Sequence, residues 1–376
     1  MWRDLRPVTA VLIIFCLILI TQSAAGSESL VRLVEKLCAI PSPTGYEHLM
    51  ADAIMGHFEG QGAFSRDNLG SLYLSVSSGT PILAVVTSMD EIGYVVSGIT
   101  EHGYLNLDRG VPSPHGLYDT YQAGHPVRIW TEGGPVNGLW VLPSSHTLSR
   151  VRRQRIMQEL TLENALVDIG AQSREDAARR GVAYLDPVTT VSEMHHLAGG
   201  QLSAPCLGSK SCTALQLDSA LKAYAARDAS AAQFVWLAQA KIVRRRSGGP
   251  VCWGALAARK RISAPMLLVI DTFTCPEGAA PGVVPGQGPV LMGAGEDSPL
   301  AARITAAAQA LDIPLQTASA PRSPVMVTLQ DGERDVAALL LPVKFAATPS
   351  EVVWREDLSA LQSLVFSLLT REGEGL

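Results

Sequence analysis

Residues Pro81 to Thr87 read PILAVVT, an apolar run with no charge and no alternation. A strand with one wet face alternates polar and apolar side chains, whereas this run leaves no face for water. It predicts a strand buried on both sides. Such a strand needs helices above and below it, which commits the chain to layered α/β architecture. The turn Asp67-Asn68-Leu69-Gly70-Ser71 leads into a further strand at Leu72–Val76, and Ile92–Ile99 reads as another.

Helices supply the covering layers. Leu30, Leu33, Val34 and Leu37 recur at helical spacing until Ile40-Pro41-Ser42-Pro43-Thr44-Gly45 breaks the pattern, and a second helix is expected over Glu47–Phe58. Downstream, Leu166–Ile169 reads as a strand and Ser173–Arg180 as a helix capped by Ser173, with Asp176 three residues on. Leu215–Arg227, Phe234–Val243, Met266–Ile270, Pro299–Leu311 and Leu358–Leu369 then alternate helix, strand, strand, helix, helix. From Tyr104 to Trp140 short β-like pieces (Val127–Trp130, Val136–Val141) are separated by turns such as Gly133-Gly134-Pro135. The expected fold is α/β: a mixed β-sheet flanked by helices on both faces, built from residues 26–103 and 166–372, with a small β-domain inserted at 104–165.

The N-terminus reads as a targeting segment. Arg3 and Arg6 precede the apolar run Val8–Ile20, and Thr21-Gln22-Ser23-Ala24-Ala25 offers small residues to a signal peptidase. The run is short for a span of about 20 residues. Residues 1–25 are therefore expected to be a signal peptide, with export to a periplasmic or extracellular location; uncleaved, the same segment would be a membrane anchor. Cys38, Cys206, Cys212, Cys252 and Cys275 follow it, without CxxC spacing or a dense disulfide framework. Cys206 and Cys212 are read as separate thiols, with a pair between them as the alternative. A formal net charge of −5 argues against a nucleic-acid partner.

Several segments, in order, resemble the tetrahedral (glutamyl, deblocking) aminopeptidases, a family of two-metal exopeptidases. They are Ile40-Pro41-Ser42-Pro43-Thr44-Gly45-Tyr46-Glu47, Met89-Asp90-Glu91-Ile92-Gly93-Tyr94, Val167-Asp168-Ile169-Gly170-Ala171, Val269-Ile270-Asp271 and Thr348-Pro349-Ser350-Glu351. The resemblance implies about five His and carboxylate ligands around two divalent ions, with a further Glu as general base. Position by position, the implied groups are missing. Ser88 stands where the first His is expected, and Leu207, followed by Gly208 and Ser209, where the bridging Asp is. The Glu–Glu pair falls on Gly248 and Gly249 in one register, or on Val243 and Arg244 in another. Ala347 takes the place of the last His. Asp271, a ligand in relatives, and Asp90, which there orients the first His, are retained.

Other constellations are weaker. His195 and His196 are adjacent and diverge on a strand or a helix; His102, His115, His125 and His146 lie in or near the inserted domain without metal-ligand spacing. No G-x-S-x-G occurs, and no histidine is placed to activate Ser88 or Ser209. Cys212 reads as core packing. Lys210, Arg244, Arg245 and Arg246 put positive charge where relatives carry carboxylates, which would favour an anionic ligand if they line the cleft.

The expected function is that of an exported aminopeptidase-like protein, catalytically inactive, acting by binding, assembly or regulation. No cofactor is expected. Expected partners are a peptide or anionic small ligand, and a homo-oligomer or hetero-assembly with an active relative. The alternative is an active metal-dependent aminopeptidase whose zinc or cobalt pair sits at an altered site, drawing on Asp90, Asp271 and a His of the inserted domain.

Overall fold

The computed structural model describes residues 28–370, apart from 77–78, 143–145, 159–161, 163–164, 227–230, 247–248, 277–281, 294–297, 319 and 321. The expected signal segment at 1–25 lies outside the described residues.

β1 (Ala63–Arg66) and β2 (Leu72–Ser75) form an antiparallel pair, and β3 (Leu83–Ser88) is buried at every position, as its apolar run requires. After β3 the chain leaves the central sheet. β4 (Tyr94–Ile99), β5 (Leu105–Asp108), β6 (Pro126–Thr131), β7 (Gly134–Val141), β8 (Leu166–Asp168) and β9 (Pro187–Thr190) close a barrel in the order β4-β5-β8-β7-β6-β9. Val96, Leu105, Ile129, Trp140, Val167 and Val188 fill its interior. The barrel strands reach from Tyr94 to Thr190, wider than the expected insert at 104–165. The strand expected at Ile92–Ile99 is a barrel strand, exposed at Ser97 and paired with β5 and β9.

The chain then makes β10 (His195–His196), β11 (Gln201–Ala204), β12 (Ala232–Leu237), the hairpin β13 (Val243–Arg246) and β14 (Gly249–Cys252), β15 (Met266–Thr274), β16 (Val290–Met292), β17 (Gln316–Ala318), β18 (Asp335–Val343) and β19 (Glu351–Trp354). The central sheet runs β1-β2-β12-β3-β15-β18-β16-β17 and is mixed, with β12, β3, β15 and β18 parallel. β10, β11 and β19 form a small antiparallel sheet beside it.

Helices cover both faces. The helical residues 28–38 and the helices His48–Gly56, Leu207–Ala225, Pro299–Ala310 and Arg355–Leu369 pack on one side; Trp253–Ala258 and Pro324–Leu329 pack on the other. β12 shows the division along one strand, with Phe234 and Trp236 facing the first layer and Val235 and Leu237 the second. Ser173 caps its helix as expected, accepting from the Asp176 N–H.

Two boundaries move. The helix expected from Leu215 begins at Leu207. The strand expected over Phe234–Val243 ends at Leu237, and the chain turns before β13. That last shift decides what faces the cleft.

Candidate functional site

The parallel strands β3, β12, β15 and β18 end along one edge of the sheet, where open α/β sheets leave room for ligands. Two cavities open there, of about 160 and 440 Å³, and share Ile92, Lys241, Thr272 and Thr274. Tyr118, Cys206, Ser209, Ala347 and Glu351 line the smaller; Ser88, Ala240, Asp271 and Ser323 line the larger.

Asp90 follows β3 and is 1% exposed. Its Oδ2 accepts from the Thr44 hydroxyl at 2.9 Å and from the Lys241 backbone N–H at 2.8 Å, while Oδ1 is buried with no partner among the described residues. Burial pushes its carboxyl above the usual range, against the pull of Lys241. Asp271, on β15, accepts from the Ser323 hydroxyl at 2.6 Å and from the Thr272 N–H at 2.8 Å.

Lys241 stands among these carboxylates. Its Nζ donates to Ser209 Oγ at 3.0 Å. Burial alone would lower its pKa, but the charge of Asp90, and after it Asp271, raises it above the ordinary lysine value. A lysine that general-base chemistry could use must lose its proton near neutrality. This one is held as an ammonium, so the Ser209–Lys241 contact is not an activated nucleophile.

The last strand segment is fixed by Glu351, whose Oε2 accepts from the Gly208 N–H at 2.9 Å and Oε1 from the Ala347 N–H at 2.8 Å. Ala347 sits at φ +58°, and its carbonyl lies 3.0 Å from His115 Nε2, which ties the loop after β5 to this segment. Leu207 is fully buried in the core. A Cβ at Gly208 would meet Thr272 Cγ2 at 2.7 Å and Val343 Cγ2 at 2.8 Å, so the backbone approaches closer than a side chain permits.

The structure brings Ser88, Ser209, Val243, Asp271 and Ala347 to the cavity walls, while Asp90 is buried and lines neither cavity. Gly248 is outside the described residues, Gly249 opens β14, and Arg244 is exposed and stacks over Trp253. Lys210 points into the protein, donating to the Ile40 carbonyl and Ser42 Oγ at 2.7 Å and pairing with Glu91 at 3.3 Å. The basic wall expected from Lys210 and Arg244 is therefore absent from the described cavity linings; the side chains of Arg245 and Arg246 are not described. Cys206 and Cys212 are free thiols. Lys241 is the residue that sequence reasoning missed. Its signal in the sequence is a lone charge four residues after the end of β12.

A two-metal centre would need about five imidazole, thiolate or carboxylate donors. The carboxylates in and beside the cleft are Asp90, Glu91, Asp271 and Glu351; Asp271 and Glu351 already accept hydrogen bonds at both oxygens, and Glu91 is held by the Ser42 N–H and Lys210. Among the described residues no group of three or more His, Cys, Asp or Glu side chains could hold a metal ion. The residues present do not fit the pair.

The family model for M42 glutamyl aminopeptidase matches residues 70–364. The putative aminopeptidase FrvX of Escherichia coli (strain K12) is 26% identical over 361 residues, covering 90% of this chain and 95% of that one. The lysyl aminopeptidase of Pyrococcus furiosus is 26% identical over 352 residues, covering 90% and 96%. Among solved structures, the Pyrococcus horikoshii TET1 peptidase, described as assembling into a tetrahedron or a large octahedral shell, superposes with a TM-score of 0.78 at 22% identity, covering 91% of this chain and 99% of that one. The TET aminopeptidase of a marine sediment thaumarchaeote gives 0.78 at 19% identity, covering 91% and 97%. These likenesses carry the fold.

Proposed function

We propose that this chain, which belongs to the M42 glutamyl aminopeptidase family, is an exported member that does not hydrolyse peptides by metal catalysis and acts instead by binding, assembly or regulation. The observation that carries the reading is the make-up of the cleft. Ser88, Leu207 and Ala347 stand where the resemblance places a His, a bridging Asp and a His, and Lys241 lines both cavities, its backbone N–H on Asp90 and its ammonium on Ser209. Hydrolysis through two metals requires ligands for both ions and a base for the attacking water; these side chains offer neither.

The cleft mixes apolar wall with the hydroxyls of Tyr118, Ser209, Thr272 and Thr274, and with Lys241 and Glu351. A peptide or small charged ligand suits such walls, because hydrogen-bonding groups orient a polar molecule without acting on it chemically. Self-association belongs to the same reading. It is supported by the assemblies described for structural neighbours and by Tyr121, Leu139 and Leu142, which are exposed by 42%, 45% and 47% in and beside the barrel. Export is supported by the Arg3/Arg6 and Val8–Ile20 pattern.

The test combines elemental analysis of the purified protein with turnover of aminoacyl anilides in the presence of zinc or cobalt. The reading expects less than one metal per chain and no turnover above buffer. Two metals per chain with turnover would reject it in favour of an altered metal site. A thermal-shift panel of peptides and small anions then identifies ligands, since a molecule selective for the native state raises Tm.

A further inference from the structure

The cleft collects acidic groups from separate parts of the chain. Asp90 follows β3, Asp271 lies on β15 and Glu351 begins β19; Lys241 lines one cavity with Asp271 and the other with Glu351, and its backbone N–H donates to Asp90. Carboxylates brought together in a poorly solvated cleft repel one another and need a counter-charge. Asp90 Oδ1 is buried there with no hydrogen-bond partner among the described residues. The chain reaches this cluster with a lysine, and it does so through a particular turn. Gln239 adopts φ +51°, its N–H donates to Glu47 Oε1 at 2.8 Å, and two residues later the Lys241 N–H donates to Asp90 Oδ2. Backbone and ammonium of one residue thus serve the same acidic cluster.

We infer that Lys241 is the resident cation of this cleft, its ammonium supplying among Asp90, Asp271 and Glu351 the positive charge that exchangeable divalent ions would otherwise bring. The inference rests on the reading of a cleft that works without metal, and it adds a specific agent. A tethered ammonium cannot be chelated or diluted away. It also repels a divalent ion approaching the same carboxylates, since like charges a few ångströms apart repel strongly where water is scarce. The three donors of the ammonium include one spent on Ser209 Oγ, which fixes the side chain against the first turn of the helix Leu207–Ala225.

The experiment compares melting temperatures of the full-length wild type, Lys241→Arg, Lys241→Met, Asp271→Asn and the double variant Lys241→Met/Asp271→Asn, each with EDTA and with added zinc. Wild type is expected to melt at the same temperature in both conditions. Lys241→Arg stays within about 2 °C of it, and Lys241→Met falls by about 5–10 °C. The double variant recovers at least half of that loss, because removing the carboxylate removes the need for its counter-ion. If Lys241→Met is not recovered folded, rescue of folded protein by the added Asp271→Asn supports the assignment, and absence of rescue overturns it. A Lys241→Met protein as stable as wild type overturns it as well, while leaving the metal-free reading of the cleft intact. A wild type that loses stability in EDTA and regains it with zinc overturns both.

Discussion

Lys210 is 2% exposed, a burial that lysine tolerates only with partners. It has three: the Ile40 carbonyl, Ser42 Oγ and Glu91. The Ser42 N–H also reaches Glu91 Oε1 at 2.7 Å, so this one ammonium joins the helix Leu207–Ala225, the turn after the first helix and the end of β3. Truncating one member of such a pair strands the other charge. Lys210→Met is expected to cost about 3–5 kcal/mol in denaturant titration, and adding Glu91→Gln should return most of it. Ala347 offers the opposite sign. Its left-handed backbone is imposed by Glu351 and His115, and a Cβ there carries strain that glycine lacks. Ala347→Gly should therefore stabilise by about 0.5–1 kcal/mol in the same titration.

At the scale of elements, Asp357 shows how a helix start organises a distant turn. It sits in the first turn of Arg355–Leu369, fully buried, and accepts from the Gly286 N–H at 2.6 Å and the Gly288 N–H at 2.7 Å. Burial raises its pKa to about 6 from 3.8, with the two N–H donors opposing. A carboxyl with a raised folded pKa binds its proton more tightly in the native state, so its contribution is fully present below the unfolded value and fades as pH rises toward about 6. Stability should fall by about 3 kcal/mol across that window from this group alone. Asp357→Asn should flatten that part of the profile, which denaturant melts at pH 4, 5, 6 and 7 would show. Sequence made some elements plain and hid others for reasons visible here. β3 announced itself through unbroken apolar residues, and the helix after Ser173 through its cap. The turn after β12 did not, because Ala238-Gln239-Ala240 contains no glycine or proline, and Gln239 takes the left-handed conformation that those residues usually mark. Lys241 was read past for that reason. β4 was legible as a strand but its barrel membership was not, since its partners β5 and β9 are set by pairing across distance in the chain.

Over the whole molecule, a large α/β layer presents its strand ends to a barrel inserted after β3, and the cleft lies where the two meet. Tyr118 comes from the barrel side and Glu351 from the sheet side of one cavity. The scaffold of the family is thus kept, and Ser88, Ala347 and Lys241 line the cleft that it frames. The same scaffold predicts self-association in solution, and mass photometry at nanomolar concentrations should find species larger than 40 kDa; a monomer alone would remove assembly from the account. The central claim is tested most directly by anomalous diffraction at the zinc edge from crystals grown in zinc. The account predicts no paired peaks between Asp90 and Asp271. Two peaks about 3.5–4 Å apart at that position, the spacing of a working two-metal centre, would contradict it.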